Sequence, residues 1–143
     1  MFNPSLEQVR LFFIESWEKF NNSSIISPLE NLAVKTIIKH PEYHEILKNK
    51  ESANINYKFK NFNHNPFLHL SMHLAVAEQI NIDQPYGIKL VYIKLASRTN
   101  EHQAIHEIIE CLETVLYESQ ITKTEINNSK YMELLKIKSS NPI

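Results

Sequence analysis

Seven histidines occur in 143 residues, and six of them form three pairs spaced by four: His40/His44, His69/His73 and His102/His106. Random placement of seven histidines gives roughly 0.3 such pairs in this length, so the spacing carries information wherever it falls on a helix. Four residues is about one helical turn, which puts two side chains on one face about 6 Å apart. Two imidazoles so placed can converge on one cation, as in the His-x-x-x-His half of zincin helices. The glutamate that makes the zincin motif specific is missing, because Leu70 follows His69 and Gln103 follows His102. The expected chemistry is metal ligation without the metalloprotease signature.

The segment around 100 to 120 sharpens that expectation. Glu101, Glu107, Glu110, Glu113 and Glu118 lie along it with no Lys or Arg between them. At about 100° per residue, His102 and Glu113 fall at the margin of the apolar face. His106 lies farther out and Glu110 points nearly away, one turn from His106. An acidic face of this kind is costly, and a bound cation relieves it. His69 and His73 share a face with Val76 and Ile80 and are expected to point inward. The predicted ligands are therefore His69, His73, His102 and His106. Glu110 and His44 follow as additional ligands, and His40 after them. Such a set suits a divalent transition metal, Zn, Fe, Ni or Mn. The residues also admit simpler roles: core-edge histidines, a solvated acidic face, and for His40 a position at a helix C-terminus. His64 reads as an incidental surface residue, and Cys111 as a small core residue.

The elements that must position these residues are helices, with prolines and polar caps as punctuation. Ser27-Pro28-Leu29-Glu30 combines a proline in the first turn with a capping box. Asn65-Pro66 repeats the proline device, Asn3-Pro4 is a looser version, and Asn100 can cap a helix opening at Glu101. Periodicity predicts helices over about 5–20, 28–40, 66–81, 88–98, 100–120 and 129–138, with Pro41 forcing a kink or restart before 42–48. The aromatic stripe Phe12, Phe13, Trp17 and Phe20 reads as core, and Leu29, Leu32, Ala33, Thr36 and Ile37 fall on one side of the second helix. Residues 66–81 are apolar almost all round, the pattern of a central helix. Residues 49–64 are polar and aperiodic, the longest loop, with Tyr57, Phe59 and Phe62 as anchors. The expected fold is all-α: one single-domain helical bundle of about five to six helices spanning 1–143.

Composition excludes several classes. One glycine leaves little for tight hairpins, which argues against an all-β design. Fifteen basic against sixteen acidic side chains give a formal charge of −1, without the basic excess of a nucleic-acid binder. No apolar run reaches the roughly eighteen residues of a membrane span, and the N-terminus lacks a signal-type pattern. A lone cysteine forms no internal disulfide, so a cytoplasmic location is expected.

Four stretches together resemble a bacterial family known as domain of unknown function 1841. They are FNPSLEQVRLFFIESW at the start, HPEYH at 40–44, NPFLHLSMHLAVAEQINIDQPYGI at 65–88 and EHQAIHEIIECLETVLYESQ at 101–120. The resemblance implies no activity. It implies that His40, His44, His69, His73, His102 and His106 lie within the family's motifs, and that His64 does not. A looser, fold-level likeness to hemerythrin-like metal bundles carries no residue roles.

The leading expectation is thus a small cytoplasmic helical bundle with a His/carboxylate metal site and no assignable substrate. The runner-up is a protein-protein interaction or regulatory module with structural histidines, motivated by Lys89, Lys94 and Arg98 preceding the acidic segment. A third is metal-free acid/base chemistry by paired His and Glu in a cleft.

Overall fold

Helix α1 occupies Leu6–Asn21 and α2 occupies Pro28–Ile38 in a computed structural model that describes residues 6–54 and 66–140. The start of α2 follows from its capping box. The Glu30 amide donates to Ser27 Oγ at 3.1 Å, and the Ser27 amide donates to Glu30 Oε1 at 2.9 Å. Two amides that have no intrahelical acceptor are thereby satisfied, with Pro28 in the first turn where its missing N–H costs nothing. The helix ends two residues short of the predicted His40, because Pro41 disfavours helical backbone in the residue before it. A 3-10 turn, Pro41–Tyr43, leads into the short α3, His44–Leu47, and a second 3-10 turn covers Lys50–Asn54. The predicted loop is thus regular at its start; positions 55–64, with Tyr57, Phe59, Phe62 and His64, lie outside the described residues, as does Asn3-Pro4.

Helix α4 runs Pro66–Ile82, α5 Ile88–Arg98, α6 Glu101–Thr122 and α7 Asn128–Ser140. No strand occurs among the described residues, and the seven α-helices make the fold all-α. None is long and apolar enough to cross a membrane. Asn100 caps α6 as expected, its Oδ1 accepting from the Gln103 amide at 2.8 Å. Asn127 does the same for α7 through the Lys130 amide at 3.0 Å. Gly87, with φ of +98°, stands in left-handed backbone before α5, and Asp83 Oδ1 organises the turn by accepting from the Gly87 and Lys89 amides. Left-handed conformations are also taken by Ser23, Asp83 and Lys123, so side-chain-bearing residues do work usually given to glycine.

Two units divide the chain, with the boundary inside α4 between Leu74 and Ala75. In the first, Phe13, Ile14, Trp17, Ala33, Val34, Ile37, Leu47, Phe67 and Leu70 form a buried cluster. Arg10 lies buried beside it, one turn before Phe13, donating from Nη1 to the Ala53 carbonyl and resting 5.5 Å from the Phe67 ring centroid. That contact joins α1, the second 3-10 turn and the start of α4. Phe20, expected in the core, is exposed and stacks on Trp17 from outside, and Leu29 of the second helix's apolar side is exposed as well. Both sit in terminal turns, where an apolar stripe has run past the neighbour it packs on. In the second unit, Val76, Ile88, Val91, Leu95, Ile108, Leu112, Val115, Tyr131 and Leu135 are buried. The Tyr131 hydroxyl donates to Gln79 Oε1 at 2.8 Å, and burial raises its pKa.

Candidate metal centre

Helix α4 carries His69 and His73 one turn apart, and their Nε2 atoms approach to 3.1 Å. The third member comes from the α2–α3 connection. Because α2 stops at Ile38, His40 leaves helical geometry, and its ring turns back so that Nδ1 donates to the Thr36 carbonyl at 2.9 Å. Its Nε2 then faces His69 Nε2 at 3.2 Å. His40 and His73 are buried, at 2% and 3% exposure, and His69 is half-buried. The ring of Tyr43 lies nearly parallel to His40 at 5.5 Å and edge-on to His69 at 6.2 Å. Burial, with a smaller contribution from Glu42, pushes the Tyr43 phenol above its ordinary pKa, so it stays neutral beside the imidazoles.

Proton counting constrains what this cluster does. A carbonyl oxygen only accepts, so His40 Nδ1 holds a proton, and in its neutral form the ring presents an Nε2 lone pair to His69. A proton on His69 Nε2 serves either the contact to His40 or the contact to His73, because a ring nitrogen has one in-plane direction. A proton on His73 Nε2 instead leaves His69 and His40 facing each other with lone pairs. Neutral imidazoles thus leave one of the two short contacts without a linear hydrogen bond, whereas one cation accepts all three lone pairs. Metal–nitrogen bonds of about 2.0–2.1 Å put nitrogens on a tetrahedral ion roughly 3.3 Å apart, close to the two spacings seen here. The Thr36 carbonyl occupies the place of the outer partner that fixes tautomer and ring orientation in ligating histidines.

The other predicted residues are placed as follows. His44 does not join His40: its Nε2 donates to the Ile37 carbonyl at 2.9 Å, and its ring lies against Trp17 with centroids 4.5 Å apart. The four-residue spacing of this pair is interrupted by the 3-10 turn, which separates the two rings' directions. His102 and His106 are half-buried neighbours on α6, in the second unit, with ring centroids 4.2 Å apart. Glu110 forms an ion pair with Lys138 at 2.9 Å, and Glu118 pairs with Lys130 at 2.6 Å. Relief of the acidic helix therefore comes in part from the lysines of α7, partners that the sequence reading did not assign. Glu113 is half-buried, and burial followed by the Glu110 charge raises its pKa. Cys111 is buried as expected, and burial raises its thiol pKa.

Sequence reasoning ranked His40 last, although its ring nitrogen is in direct reach of His69. Local spacing does not reveal a contact between residues 29 apart; the available signal was Pro41, which takes His40 off the helix.

The described residues are all-helical, with three imidazoles gathered in the first unit. The chain belongs to the family described as domain of unknown function (DUF1841), whose model matches residues 5–137. No curated protein and no solved structure gives a match.

Proposed function

We propose that this protein binds a single divalent transition-metal ion through His40, His69 and His73. Each of the three offers one ring nitrogen. The observation that carries the proposal is the pair of Nε2–Nε2 spacings of 3.1 and 3.2 Å, centred on His69, with His40 locked by Thr36. An imidazole set favours Zn, Fe or Ni over Mn, which prefers oxygen ligands. His44 and Glu110 serve the fold in this reading, through Ile37 and Lys138 respectively. An ion with an open position would support Lewis-acid or redox chemistry.

The test is inductively coupled plasma mass spectrometry on untagged protein purified without chelator. About one equivalent of metal per chain is expected. His40→Ala and His73→Ala lose it, and His44→Gln retains it. Metal far below one equivalent, unchanged by the His40 and His73 substitutions, overturns the proposal.

A second reading, an interaction module, draws on Tyr86, Leu90 and Ile93, which lie exposed at helical spacing around the start of α5. A sedimentation coefficient unchanged with concentration and with Leu90→Glu counts against self-association through that face.

A further inference from the structure

Within the second unit, helices α5 and α6 present outward faces of opposite character. They follow one another across Thr99 and Asn100 and pack together. At about 100° per residue, Leu90 and Ile93 point away from the buried Ile88, Val91 and Leu95, and both are more than half exposed. Tyr86, two residues ahead of the helix, is more exposed still. Lys89 and Lys94 stand exposed on the two flanks of this apolar strip. On α6, Tyr117 and Ile121 lie one turn apart, opposite the buried Ile108, Leu112 and Val115, and are also more than half exposed. Glu113 and Glu118 flank them, and Glu110 lies in line two turns earlier. Glu110 and Glu118 hold lysines of α7, but both side chains stay partly open to solvent, and a carboxylate has acceptor sites for more than one cation.

Apolar side chains gathered at helical spacing in water mark a contact surface, and here each strip is bordered by the charge that complements the other. We propose that the occupant of the α5 face is a second copy of this chain, docked through its α6 face. This inference rests on the interaction-module reading above and is independent of the metal site. A two-fold axis makes the contact twice, with α5 of each copy meeting α6 of the other. Lys89 and Lys94 then face the acidic border of the partner's α6, while the two apolar strips exclude water from each other. Pairing α5 with α5 would oppose lysine to lysine, and pairing α6 with α6 would oppose glutamate to glutamate. Charge therefore selects the crossed arrangement. A contact between two such helix faces belongs to the small, reversible class.

Sedimentation velocity on the full chain, at concentrations up to about 0.5 mM, provides the test. The weight-average sedimentation coefficient of the unaltered protein is expected to rise with concentration. Leu90→Glu places a negative charge opposite the acidic strip, and Ile121→Lys places a positive charge opposite the basic one. Each is expected to weaken association at least about tenfold. Both positions face solvent, and circular dichroism checks that the helices are retained. An equimolar mixture of the two variants is expected to associate again, because the introduced charges oppose one another in one contact and the other contact is native. An unaltered protein that stays monomeric overturns this inference together with self-association through α5, and leaves the metal reading standing. Loss in Leu90→Glu but not in Ile121→Lys keeps α5 as an interaction surface and overturns its pairing with α6. Association unmoved by Leu90→Glu removes the α5 face altogether. Loss in both variants with no recovery on mixing overturns the crossed arrangement as well.

Discussion

At the scale of single residues, the difference between His40 and His44 shows how a backbone hydrogen bond assigns a role. His40 gives Nδ1 to a carbonyl and turns Nε2 toward another imidazole. His44 gives Nε2 itself to a carbonyl and packs its ring on Trp17, so it serves the fold. The two are the same residue type four positions apart, and the course of the chain at Pro41 separates them. The sequence therefore made the His69/His73 pair legible, because both lie on one helix, and obscured His40, whose partner is 29 residues away. Glu113 offers a residue-scale prediction with a pH signature. Burial and then the Glu110 charge raise its pKa, so the folded chain holds this proton more tightly than the unfolded chain does. The stability linked to it is present below the unfolded carboxylate pKa of about 4.3 and is lost as pH rises through the folded value. Glu113→Gln is expected to stabilise the protein at pH 7 by about 0.2–0.5 kcal/mol, the size of a like-charge pair one turn apart. At pH 3 the gain disappears. Urea denaturation at the two pH values measures both.

At the scale of elements, helix boundaries were legible wherever a specific cap was written into the chain. Ser27 with Glu30, Pro66 and Asn100 each mark a start found within a residue or two of its predicted place. Helix ends were less legible, since the left-handed residue closing α6 is Lys123 rather than a glycine. Apolar periodicity overran at Phe20 and Leu29, because the pattern does not state where the packing neighbour stops. The acidic face of α6 shows the same limit for charge: five glutamates were visible, but Lys130 and Lys138 come from a helix whose docking only the fold reveals. The capping box gives a prediction at this scale. Ser27→Ala is expected to cost about 1 kcal/mol, read as a lowered urea midpoint with an unchanged denaturant slope. Ser27→Gly should cost only a few tenths, because glycine tolerates the cap conformation.

At the scale of the whole molecule, metal binding would act on folding by mass action. An ion that binds the folded chain and not the unfolded one stabilises it by about 2.7 kcal/mol when free metal is 100-fold above Kd. Calorimetry is expected to show a transition that moves up with added Zn(II) or Ni(II) and returns after chelation. In His40→Ala the shift should vanish while the metal-free transition stays cooperative. The Trp17–His44 stack adds a consequence of another kind. Trp17 is the sole indole of the chain, and it touches a residue only four positions from a proposed ligand. Its emission is thus a built-in optical gauge of occupancy, needing no label and no substitution. Ions with unpaired d electrons, such as Co(II) and Ni(II), should darken it, whereas Zn(II), with its closed d shell, should leave it bright. The unaltered protein would then distinguish its guests by their electronic configuration.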